Sequence, residues 1–217
     1  RFYIETLGMK PLLEESAFIS LGDQTATERL ILEESPSMRT RRVEGLKKLA
    51  RLLIKVENPS EIEALLSQMK SLPRLFKGKR GYAFEIVSPE EDVILVHAED
   101  DIRDLVPLET VPEFYSNTSI KYVSQFEVSM ELRLPEGTES LLYPEGVAPV
   151  ITFTKGQGPD LAVENNVTWD LTMLKFLVKN FDLTSLRQKF EKTGYFVPKS
   201  EKFFLGKDTN NIELWFE

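Results

Sequence analysis

The sequence predicts an α+β fold made of two similar halves, each a pair of small units in which one helix is set among short strands. Three observations predict it. Apolar and polar residues alternate over Leu49 to Val56, Phe126 to Leu134 and Thr172 to Val178, the period of a strand with one face on a core. After the first and the last of these runs comes one helical pattern and then further short strand patterns. The two series also repeat at a nearly constant offset: 122 residues from Val56 to Val178, 121 from Leu65 to Leu186 and 118 from Ile94 to Ile212. Such an offset implies a duplicated unit.

The elements follow in order. Arg1 to Gly8 reads as the tail of a helix closed by Gly8, with the leading strand of that unit expected before Arg1. Strands are expected around Lys10 to Leu21 and Arg29 to Glu34. Leu49 to Val56 turns Leu52, Ile54 and Val56 one way and Arg51, Leu53 and Lys55 the other, as a half-buried strand does. A helix begins at Asn58-Pro59-Ser60-Glu61: Asn58 can accept from orphan N–H groups, Pro59 suits the first helical position, and Glu61 stands where a capping-box acid belongs. Ile62, Leu65, Leu66 and Met69 then share one face. Leu72 to Lys79 has room for a short strand, and Gly81 to Val87 and Asp92 to Ala98 are strands joined at Ser88-Pro89-Glu90-Glu91.

Pro, Asn, Ser and Thr accumulate over Pro107 to Lys121, which places a boundary there and divides the chain into domains at residues 1–110 and 120–217. In the second half Phe126 to Leu134 is an alternating strand, Pro135 to Tyr143 fits only a short helix, and Val147 to Lys155 and Leu161 to Asp170 are further strands. Thr172 to Val178 carries Leu174, Phe176 and Val178 on one face. The next helix turns Leu183, Leu186 and Phe190 inward and is expected to end at Gly194. Phe203 to Gly206 and Asn211 to Phe216 close the sheet.

Composition narrows the chemistry. The 217 residues suit two domains of about 100 residues each. A content of 41% hydrophobic and 29% charged residues supports packed cores rather than disorder. The net charge of −8 repels phosphate, so no nucleic-acid partner is expected. The short basic stretches Arg39 to Arg42 with Lys47 and Lys48, and Lys77 to Arg80, read as solvated loop charge. The chain has no cysteine, which removes disulfides, thiolate nucleophiles and thiolate zinc sites together. No apolar run approaches the roughly 18 residues a membrane helix needs, and no signal pattern is visible. The expectation is a soluble, cytoplasmic protein without membrane contact.

The run Phe2-Tyr3-Ile4-Glu5-Thr6-Leu7-Gly8-Met9-Lys10 resembles the helix-to-strand opening of glyoxalase and bleomycin-resistance proteins, the vicinal oxygen chelate superfamily. Gly81-Tyr82-Ala83-Phe84-Glu85, continuing through Ser88-Pro89 to Val93-Ile94, resembles the closing hairpin of that superfamily, as does Asp208-Thr209-Asn210-Asn211-Ile212-Glu213-Leu214. Over nearly all its length the chain is similar to the CppA family of streptococci, which carries the label of a complement-degrading proteinase. The resemblance implies two glyoxalase-like domains of paired βαβββ units, with curved mixed sheets and helices on the convex face. It implies a host complement protein as a partner, a secreted or cell-surface location, and sheets that pair either across chains in a homodimer or between the two halves of one chain.

In the superfamily a divalent metal sits on the concave sheet face, held by His, Gln or Glu from the first and last strands of paired units. Carried over residue by residue, these positions fall on Arg51 and Leu95 in the second unit, and on Ser129, Met173 and Glu213 in the second half. The remaining ligand position would lie before Arg1. A guanidinium repels a metal and Leu offers no lone pair, so no metal and no cofactor are expected. The alternatives kept open are a metal-dependent lyase, isomerase or dioxygenase with a ligand upstream of Arg1, and the proteinase of the family label.

The residues limit that proteinase. His97 is the sole histidine, so two-histidine mechanisms are impossible. There is no H-E-x-x-H and no G-x-S-x-G, and Asp208-Thr209-Asn210 is only a faint echo of an aspartic dyad. A Ser-Lys arrangement stays open. His97 reads either as a group lining the first cup beside Leu95 or as an exposed strand-end histidine next to Glu99, Asp100 and Asp101. Glu131, Arg133, Lys175, Glu213 and Trp215 are expected to share the cup face of the second half. There they form either a pocket for a small anionic or zwitterionic ligand, with Trp215 as its apolar wall, or a wet sheet face of paired charges. With Arg51 and His97 of the first cup, these are the candidate ligand-binding residues. The acid pairs Glu33-Glu34 and Glu90-Glu91 read as strand-end and turn charge, and Gly156-Gln157-Gly158-Pro159 as a hairpin turn.

Overall fold

The computed structural model describes residues 1–35, 37–115, 119–138 and 151–217. It is a mixed α+β structure with curled mixed sheets and few helices. The chain divides into two compact units: residues 1–34 with 51–131, and residues 35–50 with 132–217. The segment 35–50 therefore lies with the C-terminal part, held there by polar contacts. Arg41 grips Asp160 with two hydrogen bonds of 2.7 and 2.8 Å. The backbone N–H groups of Lys48 and Leu49 donate to Asp170 at 2.6 and 3.2 Å.

Unit 1 opens with α1 (Phe2–Glu5). Gly8 follows at φ +66°, where a Cβ would press on Leu65 and Val123 at 3.1 Å; both the backbone angle and the space require glycine. Strands β1 (Lys10–Glu14), β2 (Phe18–Gly22) and β3 (Glu28–Glu33) form an antiparallel meander. Asp23, fully buried after β2, accepts from the N–H of Thr25 at 2.9 Å and of Phe126 at 3.1 Å.

Next come β4 (Leu49–Val56), α2 (Pro59–Gln68), β5 (Arg74–Lys77), β6 (Tyr82–Val87), β7 (Val93–His97), a 3-10 turn (Ile102–Asp104), β8 (Val106–Pro107) and β9 (Phe126–Leu134). Their order in the sheet is β9-β4-β7-β6-β5-β8, with β4 and β7 parallel. The helix starts as its sequence predicts: Asn58 accepts from the Ser60 N–H at 3.2 Å and Pro59 opens the first turn. Glu61 behaves differently. Its buried carboxylate accepts from the N–H and hydroxyl of Ser124, at 3.0 and 2.9 Å, because a long-range donor lies within its reach. Leu52, Leu53 and Ile54 are all buried, so β4 is covered on both faces rather than one. Ile102 and Leu105 supply the second cover by packing on Leu53, Phe76, Ala83 and Leu95.

In unit 2, β10 (Ile151–Lys155) lies beside the last residues of β9, with the Gly156 N–H donating to the Leu134 carbonyl at 2.9 Å. The remaining elements are β11 (Met173–Phe176), α3 (Leu183–Lys189), β12 (Tyr195–Phe196), β13 (Phe204–Lys207) and β14 (Glu213–Phe216). They form a sheet of order β11-β14-β13-β12, with β11 and β14 parallel. This is the order that β4, β7, β6 and β5 adopt in unit 1. Asp182 caps α3 by accepting from the N–H of Thr184 and Ser185. Leu186 and Phe190 are buried, and Phe190 lies against Gly206 and Phe204.

Two expectations for this unit change. Leu161 to Asp170 is a series of turns with one isolated bridge, Thr168 to Arg41, instead of a strand. Asp170 at its end accepts from the backbone of Lys48 and Leu49, and Asp160 just before it holds Arg41. The helix expected to run to Gly194 ends at Lys189, and Gly194, at φ +94°, closes the following turn by donating to Phe190 O at 2.8 Å. Of the short helix expected over Pro135 to Tyr143, residues 139–143 lie outside the described residues, as do residues 147–150 of the strand expected from Val147.

Candidate functional site

In unit 1 the register Leu53↔Leu95 and Lys55↔His97, with Glu85↔Leu95 and Arg74↔Glu85, puts Arg51, Lys55, Leu95, His97, Glu85 and Arg74 on one sheet face. Arg51 dominates its polar half. Its Nε and Nη2 donate to the two carboxylate oxygens of Glu131 on β9 at 3.1 and 2.7 Å. Its Nη1 lies 3.5 Å from Glu85 on β6. Arg74 on β5 completes the series, 3.3 Å from Glu85 and stacked over Phe76 at 5.0 Å. The charges alternate as Glu131, Arg51, Glu85, Arg74 across five strands. The hydrogen bonds of Glu131, aided by the charge of Glu85, hold the Arg51 guanidinium above its ordinary range and outweigh the cost of its partial burial.

His97 is buried at the apolar end of the same face, 4% exposed, which removes the reading of an exposed strand-end histidine. Burial first, and then the ammonium of Lys55, push its pKa down to about 4, so the ring is neutral at physiological pH. Its Nδ1 has no hydrogen-bond partner among the described residues.

Unit 2 places Lys175, Trp215, Leu205 and Phe196 in one cross-strand row. Met173 and Leu177 flank Lys175 on that face, and Glu213 and Glu217 flank Trp215. One side of the indole stacks on Phe203, with centroids 4.1 Å apart and planes 13° from parallel. The indole N–H donates to Glu217 at 2.8 Å, and the Lys175 ammonium lies 3.3 Å from Glu217 and 6.0 Å from the ring. Phe196, Leu177 and Met173 are 57, 66 and 37% exposed, so a large apolar area on this face meets solvent. Leu174, Phe176, Leu214, Phe216 and Phe204 point the other way, into the core with α3.

The five residues expected to share the second cup belong to two sheets. Lys175, Glu213 and Trp215 do lie on one face of the four-stranded sheet. Glu131 instead pairs with Arg51, because β9 is the neighbour of β4. Arg133 lies against Gly156 and donates to the Lys47 carbonyl at 3.4 Å. Sequence reasoning missed Glu85 and Arg74, although opposite charges on two strands joined by a short turn were a usable signal. It also missed the Phe203 stack. Asp208 is buried and accepts from Asn210 N, Asn210 Nδ2 and Ile212 N, so this acid is consumed in closing its turn.

The family description CppA N-terminal matches residues 1–108, and CppA C-terminal matches residues 123–216. This chain belongs to the CppA family. The crystal structure of the cppA protein from Streptococcus pneumoniae TIGR4 is 64% identical with a TM-score of 0.94, covering 100% of this chain and 91% of that one. A "putative dioxygenase" from Bacillus subtilis is 12% identical with a TM-score of 0.52, covering 99% of this chain and 78% of that one. That likeness concerns the fold alone and fits a glyoxalase-like fold. No curated protein matches.

The residues onto which the resemblance to the glyoxalase superfamily carries its metal-ligand positions do not suit a divalent ion in this CppA-family chain. Arg51 and Leu95 offer no lone pair, and Arg51 already engages the two carboxylates nearest to it. Met173 and Glu213 are register partners on β11 and β14, while Ser129 belongs to unit 1. Among the described residues no three His, Cys, Asp or Glu side chains gather as a metal site. Nor is any helix among them long and apolar enough to cross a membrane.

Proposed function

We propose that this CppA-family protein is a binding module that uses a glyoxalase-like sheet without the metal chemistry of that superfamily. Its ligand is a small anionic or zwitterionic molecule with a planar ring. The β4-α2-β5-β6-β7 and β11-α3-β12-β13-β14 series are copies of one βαβββ unit, with the helix of each on the side away from the cup. Their common strand order supports this duplication.

The observation that carries the binding reading is the Lys175–Trp215 row. A cation and an acid, Lys175 and Glu217, stand beside an indole that Phe203 holds in place. Exposed Phe196, Leu177 and Met173 surround them. An apolar wall with a few fixed charges is the general composition of a small-ligand site. The ring of the ligand packs against the aromatic row, its carboxylate meets Lys175, and an amine meets Glu217.

Trp215 reports the event directly. In a Trp169→Phe background, where Trp215 is the one remaining indole, titration with a panel of aryl carboxylates and aromatic amino acids is expected to change the emission saturably. Lys175→Ala should weaken that binding about tenfold, the loss of one charged hydrogen bond. A panel that leaves the emission unchanged, or binding indifferent to both Lys175 and Phe196, rejects the proposal.

A further inference from the structure

We propose that Arg51 is a built-in cation: on the unit 1 sheet face its guanidinium bridges the carboxylates that a bound divalent ion would otherwise be needed to hold together. The inference rests on the mismatch between the superfamily's metal-bearing face and the side chains present here, and it is independent of the ligand proposed for unit 2.

The geometry argues for a bridging role rather than a surface ion pair. Arg51 spends all three guanidinium nitrogens on carboxylates, two on Glu131 and one on Glu85. Those acids come from β9 and β6, on either side of the β4-β7 pair, so a single side chain spans four strands. The three side chains are 27, 21 and 19% exposed, enclosed enough for their charges to be felt and too exposed for any to be lost in the core. Leu53 and Leu95, both buried, supply an apolar floor. Glu131 and Glu85 flank one guanidinium over this floor, and its positive charge offsets their mutual repulsion. A metal answers that repulsion with a coordination sphere. Here a planar fork of donors answers it and asks for no third ligand.

Thermal unfolding of the full chain tests this, with and without millimolar Mn²⁺ or Ca²⁺. Wild-type protein should give the same Tm in either case. Arg51→Met keeps the length of the side chain and removes its charge. It should lower Tm by about 5 °C, and the cation should restore a large part of that loss. Arg51→Lys should fall between the two and show no response to cation. Arg51→Met combined with Glu131→Gln should lose the cation response, because one of the two acids is gone. Should Arg51→Met fail to fold, the yield of refolded protein with Mn²⁺ against chelator reads the same quantity, higher with Mn²⁺ if the inference holds. A cation response in wild-type protein overturns it. So does an Arg51→Met variant that the cation leaves unimproved, in Tm or in refolding yield.

Discussion

Lys55 and His97 are register partners on the parallel strands β4 and β7, and the lysine charge helps keep the histidine neutral. The ammonium is itself anchored, 2.6 Å from Asp100. Buried beside that cation, with Arg51 farther along the face and Glu99 as the opposing acid, His97 has its pKa pushed down to about 4.

Stability should therefore depend on pH through His97. Its folded pKa lies below the ordinary value of 6.5, so the unfolded chain binds more protons between the two values. The contribution is complete above pH 6.5 and is lost as pH falls toward 4, a change of about 3 kcal/mol at most. Urea unfolding from pH 7 to pH 4 measures it. His97→Gln should flatten that part of the profile, and an unchanged slope would count against the burial argument.

Asp170→Ala should destabilise unit 2 strongly. The carboxylate accepts from three backbone N–H groups, those of Lys48 at 2.6 Å, Leu49 at 3.2 Å and Leu171 at 2.8 Å. Burial raises its pKa while those donors oppose the rise. Leaving them without an acceptor costs about 3 kcal/mol, which chemical denaturation reads as a lowered midpoint. Asp170→Asn, which keeps one acceptor oxygen, should lose less.

Gly206→Ala tests how closely α3 approaches its sheet. A Cβ at this position would run into the buried Phe190 ring. Overpacking of this kind costs about 1–3 kcal/mol. Loss of helix signal in parallel with a lowered Tm is the expected result.

Chelation should leave the protein untouched. With Arg51 holding Glu131 and Glu85, prolonged dialysis against EDTA is expected to change neither Tm nor the near-ultraviolet spectrum. Elemental analysis of the dialysed and undialysed protein should agree, with no ion present in stoichiometric amount.

Much of the chain was legible residue by residue. Asn58-Pro59 located the start of α2, and alternation located β9 at Phe126–Leu134 and the buried side of β11 at Leu174 and Phe176. Signals of this kind are local: a cap or a two-residue period is complete within a few positions. The candidate site was only half legible for the same reason. Lys175 and Trp215 fell on the face their alternation implied, whereas Glu131 was assigned to the wrong neighbours.

The sequence by itself determined most of the strands, such as β4, β9 and β11, the alternation of their side chains, and that no cysteine or histidine pair is available for catalysis. Tertiary structure alone decided that β9 lies beside β4, that residues 35–50 pack with the C-terminal unit, and that His97 is covered. Strand alternation fixes a face but carries no information about which strand lies alongside. That choice is made by long-range pairing and by buried acids such as Asp160 and Asp170, whose partners lie more than a hundred positions away in the chain.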